Sequence, residues 1–293
     1  SFNGGDLFAP EKYVTDYYTD EAIKVIEKNK NRPFFLYLSH WAIHNPLQAL
    51  RSDVEQMNHM SGHNLQVYSG MINALDRSVG QIVKKLKELN IYGRTLIFFT
   101  SDNGGANYVE LDDINKPFRG WKISFFEGGI RVPFILSWPD QIDAGLKFEK
   151  PSHHFDIFST IASAANASIP TDREIDGVDL LPFIIREKSS NPHETLYWRS
   201  GNHQAVLHKN WKYLISKKEN MRWLFNTDQD PLEKNNLIDS NPEERVLLEN
   251  LLAKFNSEQK DPLFPSSTEL PVLIDKYEGQ TIEEQDEYIY WSN

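Results

Sequence analysis

The chain has no cysteine among its 293 residues. No disulfide therefore staples the fold, and no thiol is available for catalysis or metal binding. It also lacks any apolar run approaching the ~20 residues that cross a bilayer. A secretory signal pattern is missing, and the first residue is Ser rather than Met, which reads as a processed or truncated product. Positive charge is in short supply: 31 Lys and Arg face 42 Asp and Glu, for a formal net charge of -11. An acidic surface argues against nucleic acid as a partner and makes any local cluster of cations informative. No internal repeat is present. What remains is ordinary for a globular chain, with 40% hydrophobic and 25% charged residues, enough to bury a large core in one domain or two.

The densest information lies between Arg94 and Pro133. Thr95-Leu96-Ile97-Phe98-Phe99 is short, continuously apolar and closed by Asn-Gly-Gly, a pattern that predicts a buried strand. That strand delivers Ser101-Asp102-Asn103 to its carboxyl end, where open α/β sheets bind ligands. The Asp102 carboxylate and the Asn103 amide oxygen are hard ligands suited to Ca²⁺ or Mg²⁺. Taken alone, Asp-Asn-Gly-Gly reads equally well as a simple turn. Beyond it come Lys116, Arg119, Lys122 and Arg131, set among Gly120, Gly128 and Gly129.

Around this stretch the chain alternates strand and helix signals, the mark of α/β architecture. Residues 1–16 read as a loop, and Thr19-Asp20 as the cap of a helix over Glu21–Lys30. Phe34–Leu38 reads as a buried strand that empties into a loop carrying His40 and His44, both ordinary loop histidines by composition. Residues 63–90 carry apolar side chains at spacings of three and four, which predicts an amphipathic helix. A further strand is expected at Val132–Trp138, and a helix at about Ile157–Asn166. His153 and His154 are adjacent, and neighbours rarely aim at one ion, so no metal role is expected for them. Asn166-Ala167-Ser168 is a short glycosylation sequon. After residue 193 the pattern changes to four short runs separated by turn residues, an antiparallel meander. A last helix is expected over Glu243–Asn256, and the acidic tail 261–293 is expected to wrap the surface or pair at an edge.

Thr100-Ser101-Asp102-Asn103-Gly104-Gly105, followed by the run from Arg119 through Lys122 and Glu127-Gly128-Gly129 to Pro133, resembles the carboxyl-terminal signature of type I sulfatases, within the alkaline phosphatase superfamily. His44-Asn45-Pro46-Leu47-Gln48 is similar to the arylsulfatase B branch. The resemblance implies an α/β fold with a largely parallel sheet flanked by helices, and a small carboxyl-terminal antiparallel-sheet subdomain. The expected division is 1–185 and 186–293. It implies Asp102 and Asn103 as metal ligands, with Ca²⁺ favoured over Mg²⁺. It gives Lys122 and His44 contacts to the sulfate, with His44 as acid for the leaving oxygen. Arg119, Trp198, Arg199, Asn202 and His203 become candidates to line the substrate mouth, although the last four read equally as strand-end surface residues. Substrates would be sulfated carbohydrates or aryl sulfates. The compartment would be periplasmic, extracellular or lysosomal.

Part of the family pattern has no counterpart here. Sulfatases make a formylglycine nucleophile from a Cys/Ser-x-Pro-x-Arg motif. In Ser168-Ile169-Pro170-Thr171-Asp172-Arg173 the arginine is one residue too far, and the segment follows the metal pair instead of preceding it. The family's early paired aspartates are also unmatched, because Asp112-Asp113 comes after the metal pair. The expectation is thus a portion of a sulfatase, inactive alone and needing the amino-terminal half of the enzyme as partner. The alternatives are a non-catalytic glycan- or sulfate-binding pseudoenzyme and, less favoured, a phosphoryl-transfer relative.

Overall fold

The computed structural model describes residues 4–261, 263, 264 and 269–292. Two compact units are present. One comprises the described residues up to Ile97 together with Ser137–Gln141; the other comprises Phe98–Leu136 and the described residues from Ile142 on. The boundary expected at 185/186 falls inside the second unit. Among the described residues no helix is long and apolar enough to cross a membrane.

In the first unit α1 (Val14–Asn29) and the five-residue α2 (Arg51–Glu55) pack on the long α3 (His63–Glu88). The helix expected over 63–90 forms almost as read. α1 begins earlier than expected because part of its buried stripe is polar. Thr15 and Thr19 are buried with Ala22 and Ile26. Thr19 is not a cap: its hydroxyl lies 2.7 Å from the Thr15 carbonyl and 2.6 Å from the Ser78 hydroxyl on α3. Buried Asp53 is neutralised by Arg77, at 2.7 and 3.0 Å, and accepts from Asn73. Phe34–Leu38 departs from the strand reading, since no strand forms there. Phe34 and Leu36 pack on Ile26, Leu86 and Ile91, whereas Phe35 and Tyr37 are 71% and 80% exposed. The apolar run and its period of two are real, but a strand requires a ladder partner. None is paired with it among the described residues. Of the expected loop 1–16, residues 1–3 lie outside the described residues.

The second unit starts at Phe98, within β1 (Ile97–Thr100), which pairs with β2 (Phe134–Ser137); Phe98 and Phe134 meet edge to face at 5.9 Å. Between them lie a 3₁₀ turn (Asn107–Val109) and the single-turn α4 (Glu127–Ile130). Helices α5 (Asp156–Ala164) and α6 (Leu181–Ile184) lead into the meander. That meander is the antiparallel sheet β3 (Thr195–Ser200), β4 (His203–His208), β5 (Trp211–Ser216) and β6 (Met221–Asn226), in that order. The sheet is covered on both faces, and its strands show why. Val206, Tyr213 and Leu224 face Leu248 and Leu252 of α7 (Pro242–Glu258). Their neighbours Ala205, Leu214 and Phe225 face Phe126 and the tail residues Val272, Ile274 and Ile289. The tail therefore does more than wrap the surface. β7 (Glu269–Leu273) and β8 (Tyr288–Ser292) form an antiparallel hairpin that closes one core. The tail positions 262, 265–268 and 293 lie outside the described residues.

Candidate active site

Asp102 and Asn103 follow β1 directly. Asp102 is exposed, and among the described residues no hydrogen bond or ion pair engages its carboxylate. Asn103 donates its amide N–H to the Gly104 carbonyl at 3.0 Å, which leaves its side-chain oxygen as an acceptor. The turn is held from behind. The Ser101 hydroxyl donates to the Asn103 carbonyl at 2.9 Å, and His154 Nε2 lies 2.9 Å from the Ser101 carbonyl. A carbonyl only accepts, so Nε2 of His154 carries its proton. The segment before α5 is anchored by Asp156, which is fully buried. Its carboxylate accepts from His193 at 2.7 Å and from the backbone N–H groups of His153 and Val178. Burial pushes the His153 imidazole down to about 4, and neighbouring His154 adds to the effect. His154 thus positions the turn, and His153 packs against Phe155.

The cation-bearing segment is bolted to the same turn through its backbone. Lys122 N–H donates to the Gly105 carbonyl at 2.9 Å, and Gly104 N–H to the Gly129 carbonyl at 2.9 Å. Asn115 acts as a bracket: its side chain accepts from Gly105 N–H and donates to the carbonyls of Gly105 and Gly120. The approach is too close for a side chain. A Cβ built on Gly104 would overlap the Gly128 carbonyl oxygen, and one on Gly128 would overlap the Gly120 carbonyl oxygen. Gly104→Ala is expected to cost about 1–3 kcal/mol or more by overpacking. Gly80→Ala, exposed in α3 with open space around the added carbon, is expected to gain about 0.5–1 kcal/mol. Thermal unfolding of the two variants checks this, and a Gly104→Ala protein with unchanged Tm would contradict the overlap.

Lys122 is half-buried, with its ammonium 3.5 Å from the Tyr108 hydroxyl. His44 is exposed and lies in the first unit, where its Nδ1 is 2.6 Å from the Asn45 carbonyl and is the protonated nitrogen. Beside the signature segment is a cleft of about 470 Å³ that includes Phe118, Arg119, Trp121, Lys234 and Asp275, but none of Asp102, Asn103 or Lys122.

Two residues expected to contact substrate are engaged within the fold. Arg119 is engaged by Asp275, at 2.8 and 2.6 Å, and by Glu287, and lies over the Phe126 ring. Burial alone would weaken its charge, but the two carboxylates outweigh burial and raise its pKa. A cation satisfied twice over by the tail hairpin is part of the fold. His203 is 2% exposed, stacked on Phe125 at 4.8 Å, and both its ring nitrogens lack partners among the described residues. It faces the covered side of β4. Arg199 is exposed and donates to the Lys260 carbonyl; Asn202 donates to Glu269; Trp198 is half-buried, with its ring 5.9 Å from that of His153.

Sequence reading missed a buried ion triad. Lys212 on β5 is 0% exposed, 2.6 Å from Glu127 and 2.8 Å from Glu233. Glu233 also accepts the Glu127 backbone N–H at 2.6 Å. Burial alone would lower the Lys212 ammonium, but Glu127 and Glu233 hold it above its ordinary value. Burial raises Glu233, with Lys212 opposing; Glu127 ends below its usual range because Lys212 outweighs burial there. The available signal was a lysine in the middle of the apolar run Trp211–Ile215.

The comparisons decide the family. A protein-family model described as Sulfatase matches residues 3–167, and one described as N-sulphoglucosamine sulphohydrolase, C-terminal, matches residues 120–261. The chain belongs to the sulfatase family. It is 38% identical to steryl-sulfatase of Homo sapiens over 191 residues, covering 63% of this chain and 32% of that protein. Against N-acetylgalactosamine-6-sulfatase of Sus scrofa it is 35% identical over 201 residues, covering 67% and 37%. The crystal structure of Ps i-CgsB superposes with a TM-score of 0.82 at 33% identity, covering 89% of this chain and 58% of that one. The fold is accordingly the α/β fold of the sulfatases, with the expected small antiparallel sheet. The chain spans about a third of the length of these curated relatives.

Proposed function

We propose that this chain supplies the metal- and sulfate-binding part of a sulfatase site that hydrolyses sulfate esters of carbohydrates. The observation that carries the reading is the junction just described. An exposed carboxylate and an amide oxygen sit on a turn whose backbone is locked to the lysine-bearing segment. Asp102 and Asn103 fit a hard divalent cation as a partial set of oxygen ligands, since Ca²⁺ takes about 6–8. No cluster of three or more acidic, His or Cys ligands is present among the described residues. Such a cation, Ca²⁺ before Mg²⁺, would supply positive charge that polarises the bound sulfate. The Lys122 ammonium binds and orients sulfate oxygens as charge develops on them. His44 keeps the role that the family resemblance implies for it, acid for the leaving oxygen. The nucleophile, a formylglycine in this family, and the remaining ligands come from the part of a sulfatase that this chain does not cover. A carbohydrate substrate is supported by the name of the N-acetylgalactosamine relative and by a second Ps i-CgsB structure, in complex with k-i-k-neocarrahexaose, at 32% identity.

The test is complementation. The chain alone is expected to show no turnover of 4-nitrophenyl sulfate or of a sulfated oligosaccharide, because enzymatic gains of about 10⁶ or more need the nucleophile. Adding an amino-terminal sulfatase segment bearing formylglycine is expected to restore calcium-dependent hydrolysis. Asp102→Ala or Lys122→Ala should then lower kcat/KM by about 100-fold or more. Robust turnover by the chain alone would overturn the assignment of the site. Binding of the sulfated oligosaccharide without hydrolysis in any mixture would favour the glycan-binding pseudoenzyme.

A further inference from the structure

We infer that Lys212 is a positioning residue for the ligand-bearing turn: clamped between Glu127 and Glu233, it sets the place of Gly104 and hence of Asp102 and Asn103. The inference rests on the reading of that turn as the metal-binding part of the site.

The connection is short. Lys212 projects from the middle of β5, a strand paired on both sides, so its backbone is fixed by two ladders. Its buried ammonium lies 2.6 Å from Glu127 Oε1 and 2.8 Å from Glu233 Oε1. Glu233 Oε2 accepts the Glu127 N–H at 2.6 Å, so the side chain and the backbone of Glu127 are both held. Glu127 opens α4. Within that turn Gly128 N–H bonds the Arg119 carbonyl at 2.7 Å, and the Gly129 carbonyl accepts Gly104 N–H at 2.9 Å. Gly104 is the residue after Asn103. The relay has no slack, because Gly104, Gly128 and Gly120 approach at distances that admit no Cβ.

Two observations separate this from ordinary core packing. Buried ion clusters are weak evidence for stability but do impose geometry, because an ammonium shared by two carboxylates fixes both. Glu233 also sits at φ 55°, the left-handed region that disfavours a residue with a Cβ. A glycine would suit that backbone better, yet only a carboxylate there can bridge Lys212 and the Glu127 N–H.

The experiment is amide hydrogen exchange, residue by residue, on the full 293-residue chain and on Lys212→Met, Glu233→Ala and Glu233→Gln. Lys212→Met and Glu233→Ala are expected to speed exchange at the Gly104 and Glu127 amides by ~10-fold or more, while ladder amides of β4 and β5 stay within ~3-fold. Glu233→Gln keeps an oxygen for the Glu127 N–H and is expected to fall between wild type and Glu233→Ala. Should Lys212→Met fail to fold, the Glu233 pair carries the test. A uniform rise across β3–β6, or no change at Gly104, would overturn the inference and leave a purely structural cluster. Exchange needs neither metal nor sulfate ester, so its outcome is independent of whether Asp102 and Asn103 bind a cation. That reading stands or falls on the calcium-dependent hydrolysis above.

Discussion

Lys212→Ala is expected to destabilise the second unit by about 3–5 kcal/mol, the usual consequence of leaving buried charge unpaired. Lys212 is wholly enclosed, as is Glu233, and Glu127 is nearly so. Removing the ammonium leaves two carboxylates facing each other at the end of α4, with Arg131, 3.5 Å from Glu127, as the remaining counter-charge among the described residues. The change reaches the core that the tail hairpin closes, since Phe126 precedes Glu127 and packs on Trp223. Neutralising all three positions together, as Lys212→Met with Glu127→Gln and Glu233→Gln, should cost much less, because no uncompensated charge is left behind. Denaturant unfolding followed by tryptophan fluorescence measures both. A loss below about 1 kcal/mol for Lys212→Ala would mean that water reaches the carboxylates and the cluster is less enclosed than its geometry implies.

The second large effect is acid sensitivity. Burial pushes the His203 imidazole down to about 3, and nearby Lys212 adds to the shift. The unfolded chain takes up that proton near 6.5. A group whose folded pKa is depressed gives stability that is complete above the unfolded value and is lost as pH falls. The window here runs from about 6.5 down to about 3. Between pH 7 and pH 5 the loss from His203 alone is roughly 2 kcal/mol. His153, pushed down to about 4, acts in the same direction. Glu233 acts oppositely, since its raised pKa lets the folded state hold a proton that the unfolded state releases. Comparing wild type with His203→Leu isolates the histidine. The variant should lose most of the pH 7 to 5 slope. It should also be more stable at pH 7 by about 1 kcal/mol, because the imidazole leaves at least one buried N–H without an acceptor. Identical slopes for the two proteins would show that His203 is hydrated in solution.

What the sequence made legible follows from what was local. α3 announced itself because its core contacts recur every three or four residues, and the meander because turn residues separate its short runs. Asp102, Asn103 and Lys122 were legible as a signature, since the glycines that let their backbones interlock are part of the same string. The partners of Arg119 were hidden for the opposite reason. A sequence shows its charge but not the carboxylates 156 and 168 positions away that already occupy it. His203 looked like a strand-end residue, and nothing in its neighbours told which side of β4 would be covered by Phe125. Phe34–Leu38 carried the right composition for a strand, but pairing is a property of two segments. Asn115 and Lys212 act by bridging backbone and charge, and neither leaves a periodic trace.

The glycine interlock has a consequence for the order in which this site can be built. Glu127 meets its partners Lys212 and Glu233 only 85 and 106 positions later, and Arg119 waits still longer for the tail hairpin. Contacts of such high sequence separation form late, after the loops between them have closed. On a ribosome the signature segment emerges well before the strands that hold it. The turn bearing Asp102 and Asn103 is thus among the last parts of the second unit to take shape, and shortening the chain from its carboxyl end would disorganise the chemistry before removing any residue that performs it.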